Sequence, residues 1–247
     1  MGPLATSLLL LGIAPLVATA DYDQELWNHA GRTNNHWSYY DIDAPAPHDV
    51  DMNWQAAGGV DDTGHVRTPL GVLDSAHDDE AFFPAYLYRG LGVNQEIDLS
   101  IEDAIIKVYV RDGSGAAALD LKGGSLVFFI GQYIAVEGGE DKESFFYNLT
   151  PVTVNSGNWT IESSLSVGGN GDWGVLANND PTVFPSDLFH HPEQWGFTIF
   201  PAASTPSGAL AFDSFRIVPE PTGIALFLAA LTGSIARRRR EHQSSRT

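Results

Sequence analysis

The chain has no cysteine among its 247 residues. That excludes disulfides, a catalytic thiol, iron–sulfur ligation and cysteine-based zinc sites, so the hydrophobic core must hold any exported domain. Positive charge is scarce as well: 13 Lys and Arg stand against 31 Asp and Glu. Five of the basic residues and two of the acidic ones lie beyond Ile217. The body from Asp21 to Ile217 therefore carries eight cations (Arg32, Arg67, Arg89, Lys107, Arg111, Lys122, Lys142, Arg216) against 29 acids, a net charge of −21. Such a body repels phosphate backbones, which excludes nucleic acid as a partner. No Gly-x-Ser-x-Gly elbow and no phosphate-cradling glycine loop occurs, and no stretch of the body carries a helical apolar stripe.

What is present begins with two apolar ends. Leu8 to Val17 is a short apolar run followed by Ala18-Thr19-Ala20, the small-x-small pattern that signal peptidase cuts, leaving Asp21 as the mature start. Met1 to Ser7 holds no Lys or Arg, a departure from the usual basic leader, and Pro15 favours a cleaved signal over a permanent anchor. At the other end, Val218-Pro219-Glu220-Pro221 precedes an uncharged run from Thr222 to Ala236, then Arg237, Arg238, Arg239 and Arg240. The prolines keep the first segment extended. The run, about 15 residues, is short of the roughly 20 that span a bilayer comfortably, and snorkelling arginines make up the difference on the cytoplasmic side.

This tripartite tail, Val218 to Arg240, resembles the PEP-CTERM sorting signal of exopolysaccharide-producing Gram-negative bacteria. The resemblance implies recognition of Pro219, Glu220 and Pro221 by an exosortase, a membrane-embedded cysteine protease-like transpeptidase. It further implies an inner-membrane-anchored precursor whose body passes to the cell surface or extracellular matrix. The expected organisation is a signal peptide (1–20), a body (21–217), a sorting signal with one transmembrane helix (218–240) and a cytoplasmic tail (241–247).

Within the body, 21–79 reads as long loops with a few short strands. Strand signals follow at 81–89, 96–101, 104–111, 125–136, 145–149, 152–154, 159–167, 195–200 and 209–218. In 104–111, Ile106, Val108 and Val110 alternate with Lys107, Tyr109 and Arg111, the period of a half-buried strand. Turns fall at Asp112-Gly113-Ser114-Gly115 and Gly168-Gly169-Asn170-Gly171-Asp172. Many short strands with such turns predict an all-β, jelly-roll-like sandwich. The segments Asp98-Leu99, Leu119-Asp120-Leu121 and Trp159-Thr160-Ile161 resemble laminin-IV and lectin-like sandwiches. Phe212-Asp213-Ser214-Phe215-Arg216-Ile217 resembles the closing strand of carbohydrate-binding jelly rolls, which implies a structural calcium ligand at Asp213.

Glu96-Ile97-Asp98-Leu99-Ser100-Ile101-Glu102 resembles the Glu-x-Asp-x-Glu strand of concanavalin-like β-glucanases, with Glu96 and Asp98 as the candidate catalytic pair. Ser100 stands where the acid/base would be, and Glu102 lies roughly 13 Å along an extended strand from Glu96. A glycoside hydrolase is therefore the alternative to a non-catalytic body. Asp41, Asp43, Asp49, Asp51, Asp61, Asp62, Asp74, Asp78, Asp79 and Glu80 are hard oxygen donors suited to calcium, but none fits an EF-hand loop. His77-x-x-Glu80 and His190-His191 lack zinc-site spacing. Of the aromatics Trp27, Trp37, Tyr39, Tyr40, Trp54, Trp173 and Trp195, the polar setting of Trp37, Tyr39 and Tyr40 makes those three the candidates for stacking on sugar. The reading is an exported, non-catalytic structural or adhesive surface protein that binds extracellular polysaccharide.

Overall fold

The computed structural model describes residues 23–25, 38–40, 49–68, 86–89, 97–100, 104–115, 118–134, 136–140, 142–190, 192–201 and 206–219. All belong to one compact unit, Asp21–Glu220. The expected signal peptide, the run from Thr222, the arginine cluster, Trp37 and Glu96 lie outside the described residues. Among the described residues no helix is long and apolar enough to cross a membrane.

The expected all-β sandwich is present, as two seven-stranded sheets. The first sheet is built on β7 (Ala104–Asp112) and β14 (Leu210–Pro219). β14 continues to β5 (His65–Arg67) and β4 (Asn53–Gln55), and also pairs β1 (Asp23–Glu25). β7 pairs β10 (Val154–Asn155) and β11 (Glu162–Ser166). The second sheet runs β12 (Trp173–Asn178), β9 (Lys142–Asn148), β8 (Ser125–Ile134), β13 (Gln194–Phe200), β6 (Tyr86–Arg89), β2 (Ser38–Tyr40), β3 (Asp49–Asp51).

Alternation places one face of each sheet in a shared core. Ile106, Val108 and Val110 of β7 and Phe212, Phe215 and Ile217 of β14 meet Leu126, Phe128 and Ile130 of β8 and Trp195, Phe197 and Ile199 of β13. Phe197 lies 5.2 Å from Phe212 and Phe128 stacks on Phe215 at 6.2 Å between ring centroids. Each such ring contributes about 1.5–3 kcal/mol by burial. Trp173 and Trp195 are buried in this core and Trp54 packs against it, so these three are not open platforms.

Two departures from the predicted strands have local causes. β12 went unpredicted because a register shift between Val175 and Ala177 breaks its alternation. No strand forms at 97–100, where Asp98 Oδ1 accepts from the Ser100 N–H (2.9 Å) and turns the chain. A bulge in β14 between Asp213 and Arg216, with Ser214 at φ 54°, switches the inward parity from Phe212 to Phe215. The strand partner on that side changes there from β5 to β1.

Candidate functional site

Two strands of the second sheet carry large apolar residues in both parities. β8 reads Val127-Phe128-Phe129-Ile130 and β9 reads Phe145-Phe146-Tyr147. An antiparallel sheet with one wet face should alternate, so these runs place rings on the outer face as well. Phe129, Phe145 and Leu176 form a second buried cluster there, with Tyr147, Ala177 and Phe200 packed against it.

Glycines shape this face. Phe129, Tyr147 and Gly174 share one row across β8, β9 and β12, and Gly131 and Phe145 share another. A Cβ added at Gly174 would collide with the Tyr147 ring, and one at Gly131 with the Phe145 ring, so both rings lie down across glycine backbone. Tyr147 and Phe200 have ring centroids 4.9 Å apart and both stay half-exposed. Gln194, opposite Gly131, adds a buried amide oxygen with no hydrogen-bond partner among the described residues. From Gln194 to Phe200 the strand spans about 20 Å. Half-exposed flat rings with an unsatisfied acceptor suit a sugar, whose C–H face stacks on aromatics while its hydroxyls donate.

Of the predicted stacking residues, Tyr40 shares a row of this sheet with Tyr86, Thr198 and Val127. Tyr39 instead shares its row with Leu87, Phe197 and Phe128, the last two being core residues. Tyr147, Phe200 and Gln194 were missed. The available signal was the apolar run in both parities next to Gly131 and Gly174.

Asp98 sits in a serine–histidine–aspartate cluster. Its Oδ1 accepts from Ser100 Oγ (2.5 Å), its Oδ2 lies 3.2 Å from His190 Nδ1, and Ser100 Oγ is 3.5 Å from the same Nδ1. One imidazole nitrogen faces both partners, whereas a relay needs the acid on one nitrogen and the nucleophile on the other. Partial burial would raise the Asp98 carboxyl, but the hydrogen bonds from Ser100 and His190 outweigh it and hold the pKa below the usual aspartate range. A general acid needs the opposite shift. Since 97–100 is not a strand, the one-faced array of carboxylates expected from Glu96 to Glu102 has no strand to stand on at Asp98.

Asp213 is fully buried on the outer face of the first sheet. Its Oδ2 accepts from the Val60 N–H (2.6 Å) and its Oδ1 from the Ser214 N–H (2.7 Å), fastening the 58–63 loop over the bulge. Burial pushes its pKa up to about 6 against those two hydrogen bonds. Among the described residues no group of three or more His, Asp or Glu is placed to hold a metal.

No family model matches the chain, and no curated protein matches it. Among solved structures it is similar to the CBM22-1–GH10 modules of Clostridium thermocellum endo-1,4-β-D-xylanase 10B complexed with xylohexaose, at 12% identity and TM-score 0.38. That match covers 82% of this chain and 29% of the other, so the chain spans under a third of that xylanase chain. The C-terminal family 22 carbohydrate-binding module of the same xylanase matches at 9% identity and TM-score 0.33, covering 83% of this chain and 96% of the other. The xylan-binding module CBM15 matches at 12% identity and TM-score 0.33, covering 75% and 92%. At these scores the likenesses carry no weight for function, which rests on the chain's own geometry.

Proposed function

We propose that the body is a non-catalytic glycan-binding module, of jelly-roll type, that takes a saccharide on the outer face of its second sheet. The observation that carries this is Tyr147 laid flat across Gly174 and half-exposed beside Phe200, on the same face as the unsatisfied Gln194 amide oxygen. Stacking supplies affinity and the amide selects a hydroxyl. A glycan array on the full chain should show saccharide binding without release of reducing sugar. Tyr147→Ala should weaken it roughly tenfold, the scale of one lost aromatic contact and its burial. Turnover of a bound polysaccharide, abolished by Asp98→Asn, would replace this reading with the glycosidase.

The tail's resemblance to a PEP-CTERM signal supports reading this module as part of an exported surface protein. Signal peptidase would cut after Ala20, and an exosortase would act at Pro219-Glu220-Pro221, leaving the body at the surface or in the matrix. In the structure β14 runs through Val218 and Pro219, opposite Ile105 and Ala104. Intact mass of the cell-associated protein should lack Arg237 to Thr247; a mass that includes them contradicts sorting.

A further inference from the structure

The outer face of the first sheet carries four of the body's eight cations: Arg67, Lys107, Arg111 and Arg216. Two of them have carboxylate partners. Arg216 donates to Glu162 (2.5 Å) and Lys107 lies 3.7 Å from the same carboxylate. Elsewhere Lys122 pairs with Asp120 and Lys142 with Asp180. Among the described residues Arg67 and Arg111 have no carboxylate partner, in a body that carries 29 acids. Both are held by backbone carbonyls: Arg67 Nη1 donates to Gly113 O (3.4 Å), Arg111 Nη1 to Gly157 O (3.0 Å) and Arg111 Nη2 to Gly58 O (3.3 Å).

Their arrangement is built rather than incidental. The two arginines flank Ala211 in one row across β5, β14 and β7. The Arg67 stem packs against Gly113, two residues past Arg111; a Cβ at Gly113 would stand 3.0 Å from Arg67 Cγ. The Arg111 guanidinium rests on the Trp159 ring at 4.7 Å, and Trp159 is pinned by its Nε1–H donating to Gly58 O (2.7 Å). His65, 5.4 Å from Trp159, is buried and kept neutral near pKa 4 by burial and then by both guanidiniums, whose fields meet on it. The Nε of Arg67, the Nε of Arg111 and His65 Nδ1 are buried with no hydrogen-bond partner among the described residues. The nearby Asp62 carboxylate is occupied by the Gly58 N–H (3.2 Å), and Asp213 by Val60 and Ser214.

We propose that Arg67 and Arg111, backed by Trp159 and His65, form a second site that binds the oxyanion of an acidic glycan, the carboxylate of a uronic acid or a sulfate ester. The proposal rests on the glycan-binding reading but uses the opposite sheet. Pre-oriented guanidinium forks recognise a planar or tetrahedral oxyanion at short range. Short range is what this protein needs, since its net charge of −21 repels polyanions from afar. Seating the forks on backbone carbonyls and on Trp159 leaves their charge for the ligand instead of for an internal carboxylate.

The test is calorimetric titration of the full chain with a hexameric oligouronate, a sulfated oligosaccharide of the same length and an uncharged one. At least one acidic probe should bind, and Arg67→Gln with Arg111→Gln should weaken it at least about tenfold, the scale of lost charge-assisted hydrogen bonds. Tyr147→Ala should leave that binding within about twofold, because it lies on the other sheet. Should the double variant not fold, Arg111→Lys, which keeps the charge and loses the fork, must still weaken binding. Binding of the sulfated probe alone assigns the site to sulfate esters, and of the uronate alone to carboxylates. Failure of both acidic probes, or acidic binding unchanged in the arginine variants, overturns the proposal. The uncharged probe, sensitive to Tyr147→Ala alone, reports separately on the aromatic face.

Discussion

The two sheets share one core and differ in what they turn outward. The second sheet shows rings lying on glycine, and Phe129 and Phe145 are as buried there as residues of the main core. The first sheet shows guanidiniums, a buried imidazole and a buried carboxyl beneath the 58–63 loop. An aromatic face is shaped by what its backbone lacks, since a ring lies flat only where a neighbouring Cβ is missing. A charged face is shaped by what its side chains are denied, since among the described residues Arg67 and Arg111 bond to carbonyls and to no carboxylate. The first arrangement suits the neutral face of a sugar and the second an anionic substituent.

Acidity should separate the two faces most strongly, because His65 and Asp213 of the first face titrate between pH 4 and 6.5. His65, neutral in the fold to about pH 4, is protonated in the unfolded chain from about pH 6.5 downward. Its contribution to stability is therefore lost as pH falls from 6.5 to 4. Asp213 has the opposite sign. Its folded pKa of about 6 exceeds the ordinary aspartate value of 3.8, so its contribution is present below pH 4 and lost as pH rises toward 6. Each swing is on the order of 3 kcal/mol, and in the native chain they largely cancel. His65→Gln should leave stability falling from pH 4 to 6, and Asp213→Asn should leave it rising from pH 4 to 6.5, as read by urea denaturation. Two variants with the pH profile of the parent would contradict the burial of both groups.

A smaller effect should sharpen the second face. Gly131→Val forces the Phe145 ring off the backbone and should cost about 1–3 kcal/mol by overpacking. Urea denaturation at neutral pH checks the cost, and oxyanion binding at Arg67 and Arg111 should survive it. A neutral Gly131→Val would mean that the ring has room that the sheet does not show.

Much of the fold was legible. The alternation of Ile106, Val108 and Val110 with Lys107, Tyr109 and Arg111 is the β7 of the structure, inner and outer faces as predicted. The sites were less so. Asp98 and Asp213 stood out as lone acids in strand-like settings. The structure spends Asp98 on turning the chain at Ser100 and Asp213 on holding the Val60 loop. Tyr147 drew no attention because β12, which supplies Gly174 beneath its ring, was hidden by a bulge, and a cross-strand glycine is invisible to any local pattern. The pairing of Arg67 with Arg111 likewise exists only through Ala211, about 100 residues further on in the chain.

A neutral saccharide should bind the outer face of the second sheet. Amide hydrogen exchange of the full chain, with and without an uncharged oligosaccharide selected on the array, tests it directly. Added protection is expected along β9, β12 and β13, around Tyr147, Gly174 and Gln194, with β5 and β7 unchanged. Protection at Arg67 and Arg111 by the uncharged sugar, with none at Tyr147, would contradict it.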